Sequence, residues 1–172
     1  MKQNFENRIR IKKTGFYYSS LNFWQSALFI IIFILEATLL LSENFVPSQT
    51  LTILKISLLL TLWWIPLVSG LANIFRNIYC IILWVIACIL WIFVDFIPNF
   101  KVIPIITLGY IILMRFIFKA IYNKEPIFVV VARFDTSSFS KIENRVSSRI
   151  DFIFSMLTLI FGVVISIFII SK

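Results

Sequence analysis

Five apolar runs divide the chain, and nearly all of its charge sits between them. The runs are Phe23–Leu41, Leu51–Val68, Ile78–Phe93, Val102–Phe118 and Phe152–Ile170. As helices rising about 1.5 Å per residue they reach about 24 to 29 Å, close to the roughly 30 Å of a bilayer's hydrocarbon core. The pattern predicts an all-α polytopic integral membrane protein with about five transmembrane helices. A four-span version follows if one run re-enters the bilayer or lies flat. The expected organisation is a basic aromatic interfacial segment over 1–21, a four-span bundle over 22–121, a basic loop over 122–149 and a fifth helix over 150–172.

Prolines and polar residues mark the ends of the runs. Pro66 falls inside the second run, where it removes a helix hydrogen bond and bends the chain. Pro104 is expected in the first turn of the fourth helix, where proline is tolerated. Between the fourth and fifth runs, Ile127–Ala132 has strand character. Asp135–Ser138 and the Ser140/Glu143 pair offer helix caps, from which a helix is expected to run through Lys141, Arg145 and Arg149 directly into the last span. Phe5, Ile9 and Phe16 suggest a short surface helix near the start, and Tyr17, Tyr18, Phe23 and Trp24 mark the membrane interface. The first apolar run is too long for a secretory signal and no small-x-small site follows it, so it reads as a retained anchor.

Composition explains what the runs face. Of 172 residues 60% are hydrophobic and only 14% charged, with a mean hydropathy of +0.99. A soluble domain carries nearer a quarter of its residues as charges. The net charge of +8 follows the topology instead of suggesting nucleic acid. With the N-terminus in the cytoplasm, Lys2, Arg8, Arg10, Lys12, Lys13, Arg76, Lys119, Lys124, Arg133, Lys141, Arg145 and Arg149 fall on the inner side. Lys101 and Lys172 alone fall outside, a strong positive-inside bias.

Two charges lie within the first two runs. Glu36 is ten residues before Val46 and Lys55 nine after it, so an antiparallel hairpin sets them at one depth. A lone charge at mid-helix costs roughly 2.5–3.5 kcal/mol on insertion scales, which favours a Glu36–Lys55 pair or a shared aqueous cavity. Arg115 and Asp151 form a second candidate pair, near the inner ends of the fourth and fifth spans. Arg115 is expected to snorkel to the interface, and Asp151 suits a helix N-terminus. Arg8, Arg10, Lys12, Lys13, Arg133, Lys141, Arg145 and Arg149 make a cationic inner face for anionic lipid or a cytosolic protein.

Catalysis has little to work with. The chain has no histidine and four glycines, and no HExxH, GxSxG or CxxC pattern occurs. Cys80 and Cys88 lie in one run about 12 Å apart along a helix, too far for a disulfide between them. No metal or cofactor is expected, and Trp63, Trp64, Trp84 and Trp91 read as packing or interface residues.

The expected function is non-enzymatic: a sensor or scaffold that docks a cytosolic partner through its basic inner face. Self-association is also expected, because five short helices bury little alone. The size and layout resemble those of small membrane subunits of bacterial antiphage defence systems and of multi-span bacteriocin immunity proteins. That resemblance implies a bacterial inner membrane. A small oligomeric ion channel lined by Glu36 and Lys55, and a subunit of an organellar membrane complex, are the other expectations. The Ile-, Phe-, Lys- and Ser-rich composition suits an AT-rich coding sequence, as in a mobile bacterial island or an organelle genome.

Overall fold

The computed structural model describes residues 10–11, 16–18, 20–41, 48–69, 73–126 and 148–171. They form five α-helices: α1 (Phe23–Leu41), α2 (Ser48–Ser69), α3 (Ile78–Phe93), α4 (Pro98–Tyr122) and α5 (Arg149–Ile170). Four of them, α1, α2, α4 and α5, are long and apolar enough to cross a membrane, and α3 is a shorter apolar helix. The chain is an all-helical polytopic membrane protein.

The helix ends follow local chemistry. Asn22 and Gln25 exchange reciprocal bonds at 2.8 and 3.1 Å, a capping-box arrangement that satisfies two orphan amides at the start of α1. Asn77 caps α3 by accepting the Tyr79 amide at 3.1 Å. Extended Val94 ends α3, and Pro98 opens α4 at a position that needs no amide donor. α4 closes on Asn123 in the left-handed region, φ 52°, its amide donating to the Lys119 carbonyl at 2.8 Å.

α4 therefore starts four residues before the apolar run and ends four after it, so Pro104 lies in its interior and not in its first turn. Its missing amide frees the carbonyl of Phe100, four residues back. The Trp91 indole N–H on α3 donates to that same oxygen at 3.3 Å. A neighbouring helix thus supplies the donor that proline removed, as membrane helices require.

Apolar surface points both ways. Inward, α3 contributes Cys80, Trp84, Ala87, Cys88 and Trp91, and Trp84 packs edge-on against Phe29 and Phe75 at 5.6 and 5.3 Å between ring centroids. Outward, Phe23, Ile34, Ile53, Leu113, Phe161 and Ile167 are all more than half exposed. Water would penalise that outer surface, whereas lipid accepts it.

α5 is built the other way round from a water-soluble helix. Its buried residues are Asp151, Ser155, Thr158, Gly162 and Ser166, one face at helical spacing, and its exposed residues beyond Arg149 are apolar. Lipid gives helices no hydrophobic reason to associate, so small residues and hydrogen bonds hold them together. Tyr110 donates to the Thr158 carbonyl at 2.9 Å, joining α4 to α5. Trp63 donates to Ser166 Oγ at 2.9 Å, joining α2 to α5. Ser155, Thr158 and Ser166 each donate back to their own helix, as expected for hydroxyls in a span. At Gly162 an added Cβ would collide with Leu67 and lie 3.1 Å from the Tyr110 ring, so three helices meet where no side chain fits.

Two expectations for the polar segments change. Arg10–Ile11 pair antiparallel with Tyr17–Tyr18 in a two-residue ladder, so this part is extended and not a surface helix. Ile and Tyr favour extended backbone over a marginal short helix. α5 begins at an extended Ser148, φ −104° and ψ 167°, so no helix runs unbroken from residue 140 into the span. The strand at 127–132, the caps at 135–143 and the turn at 42–47 lie outside the described residues.

Candidate functional site

The helices gather one set of ends into a polar base. Tyr18 meets Tyr79 at the start of α3, with ring centroids 5.9 Å apart, and Phe16 meets Phe116 on α4 at 6.0 Å. The beginning of the chain, the start of α3 and the end of α4 therefore share one level. Phe118 packs on Phe154 at 4.7 Å, which adds the start of α5. Arg10, Arg76, Lys119, Lys124 and Arg149 all lie at this end, Arg76 in the 3-10 turn Asn73–Arg76.

Much of that base is buried. Arg76, Asn77, Arg115 and Asp151 are each 3% exposed or less. Asp151 is the third residue of α5. Its Oδ2 accepts the Ser148 amide at 2.9 Å and the Ser148 hydroxyl at 2.7 Å, while Ser148 Oγ accepts the Asp151 amide at 3.3 Å. This full capping box places a carboxylate where the helix dipole favours one. Arg115 belongs to the same buried row of α4 as Phe118, which packs on α5. The Arg115 side chain is buried, and α4 continues for two turns beyond it. At the end of α4, Lys119 Nζ donates to Glu125 Oε1 at 2.8 Å, and Glu125 and Pro126 are buried.

The intramembrane charges occupy separate surroundings. Glu36 is fully buried, and among the described residues neither of its carboxylate oxygens has a hydrogen-bond partner. It follows Phe29 and Ile32 on the buried face of α1, the face that packs on α3. The Cys88 thiol of α3 is near enough to interact with it electrostatically. Lys55 Nζ instead donates to the Asp95 carbonyl just beyond α3, at 2.6 Å. Of the two expectations for these charges, a pair or a shared cavity, the pair is not the described arrangement, because equal depth does not fix azimuth: α1 turns Glu36 toward α3, and Lys55 reaches the α3–α4 connection. That connection consequently sits two turns, about 10 Å, below the start of α2.

Of the cationic residues expected to bind lipid or partner, Arg10 lies in the short ladder and Arg149 is exposed at the start of α5. Arg8, Lys12, Lys13, Arg133, Lys141 and Arg145 lie outside the described residues. Sequence reasoning passed over the burial of Arg76, Asn77 and Glu125. The Asn-Ile-Phe-Arg-Asn string carried a usable signal, since an Asn just before an apolar run is a capping residue and draws its neighbour into the bundle. Among the described residues no group of three metal-ligating side chains occurs.

No family model, curated protein or solved structure matches the chain.

Proposed function

We propose that the chain is a non-enzymatic scaffold of a bacterial inner membrane, holding a soluble cytosolic partner at its cationic end. The observation that carries this reading is how the 127–147 segment is mounted. It leaves α4 through the Lys119–Glu125 bridge and buried Pro126, and it enters α5 through the Ser148–Asp151 capping box. Both roots are fixed to the bundle, so the segment springs from a rigid base. Binding residues on loops fixed by a rigid scaffold are a common functional arrangement. Arg133, Lys141 and Arg145 outnumber Asp135 and Glu143 in the segment, and with Lys124 and Arg149 at its two roots they suit an acidic protein surface. Self-association in the membrane belongs to the same proposal, and an antiphage system is the setting that size and layout favour.

A channel of several copies has weaker support. Glu36 is buried within one chain against α3, so it does not face a neighbouring copy to line a pore.

The test is affinity purification of the full chain from its native membrane, with and without Lys141→Glu plus Arg145→Glu. A soluble protein that co-purifies with the parent and is lost from the double variant supports the scaffold. Equal recovery of every partner with both chains overturns docking through this segment.

A further inference from the structure

A cavity of about 330 Å³ opens at the end of the molecule opposite the cationic base. It exists because the α3–α4 connection and the end of α5 stop short of the start of α2. Ile56, Leu59 and Leu60 of α2 form one wall, and Ile97, Phe100 and Ile103 form the other. Trp63 closes the inner end, and its one polar atom is committed to Ser166.

Every lining residue is Ile, Leu, Phe or Trp. Such a wall gives a polar ligand no hydrogen-bond partner and repels its desolvated groups. A hydrocarbon chain is the matching occupant, and in a membrane bundle the surrounding hydrocarbon is lipid acyl chain. The rim narrows the choice further. This end of the chain is nearly free of basic residues, yet those it has collect here. Lys101 is half-buried one helical turn after Ile97, and Lys55 precedes Ile56 and is tied to the Asp95 carbonyl. The Asp95 carboxylate is the opposing charge at the rim, exposed beside the same carbonyl. Among the described residues, two cations against one anion at the mouth of an apolar slot suit a molecule with a greasy tail and a negative head.

We propose that this cavity binds one acyl chain of an anionic phospholipid from the adjoining leaflet, its phosphate held over Lys101 in the field of Lys55. Each buried methylene contributes to retention, and the lysines set the headgroup preference. The site does not depend on what binds at the other end of the molecule.

Native mass spectrometry of the full chain, released from vesicles of phosphatidylglycerol and phosphatidylcholine with identical chains, tests this directly. The expected result is one retained phosphatidylglycerol, preferred over phosphatidylcholine by about fivefold or more per contributing lysine. Lys101→Gln, at a partly exposed position outside the packed core, should cut that preference about fivefold while leaving the fold intact. Leu60→Trp should fill the slot and abolish retention of both lipids. Retention of many lipids with no headgroup preference, or a preference unchanged in Lys101→Gln, overturns the proposal even if Leu60→Trp fails to fold.

Discussion

Trp91→Phe removes the indole N–H that serves the Phe100 carbonyl and keeps an aromatic ring in the core. The donor matters because Pro104 has no amide to offer that oxygen. Leaving a buried carbonyl without a partner costs about 1–3 kcal/mol, and hydrogen bonds between membrane helices average about 0.6 kcal/mol. The smaller ring adds a packing loss of its own. We expect Trp91→Phe to destabilise the bundle by about 1–2 kcal/mol. The informative step is Pro104→Ala, which restores an amide four residues after Phe100 and lets α4 close its own bond. In that background Trp91→Phe should cost about 0.5–1 kcal/mol less, because the oxygen already has a donor. Reversible unfolding in mixed micelles, followed by helical circular dichroism, gives all four corners of the cycle. Strict additivity would refute the reasoning, since it would mean that indole and proline do not share an acceptor.

The remaining predictions use the same assay. Gly162→Ala drives a methyl into Leu67 and the Tyr110 ring and should cost about 1–3 kcal/mol, whereas Gly109→Ala, with nothing within 4 Å of the added carbon, should cost almost nothing. Equal effects at the two glycines would contradict the three-helix junction. Asp151→Ala breaks the capping box and should destabilise by about 1–2 kcal/mol, with Ser148→Ala non-additive to it. Glu36→Met removes a buried carboxyl that makes no hydrogen bond among the described residues and should leave stability unchanged or raise it by about 1 kcal/mol. A loss above about 1 kcal/mol would mean that the carboxyl has a structural partner.

The membrane class and both ends of two helices were plain in the hydrophobic pattern. Phe23–Leu41 and Ile78–Phe93 match α1 and α3 residue for residue, because both runs end abruptly in polar or helix-breaking residues. α4 outran its pattern at both ends: Pro98 is a good first helical residue, and Asn123 takes the left-handed turn that stops the helix. Asp151 was legible as an N-terminal acid because capping is local. The separate surroundings of Glu36 and Lys55 were not, because two side chains at equal depth meet only if their helices also face each other. The row from Asp151 to Ser166 was readable in principle. Its spacing marks one polar face, although soluble-protein habits would turn that face outward and lipid turns it inward.

A helical bundle with this element order, set in a membrane, requires residues 141 and 46 to lie on opposite sides. Single cysteines at position 46 and at position 141, in a chain carrying Cys80→Ala and Cys88→Ala, can be labelled in sealed vesicles with a membrane-impermeant maleimide. Opposite accessibility is expected, with residue 141 reacting only from the cytoplasmic face and residue 46 only from the other. Labelling of both positions from the same face would contradict it.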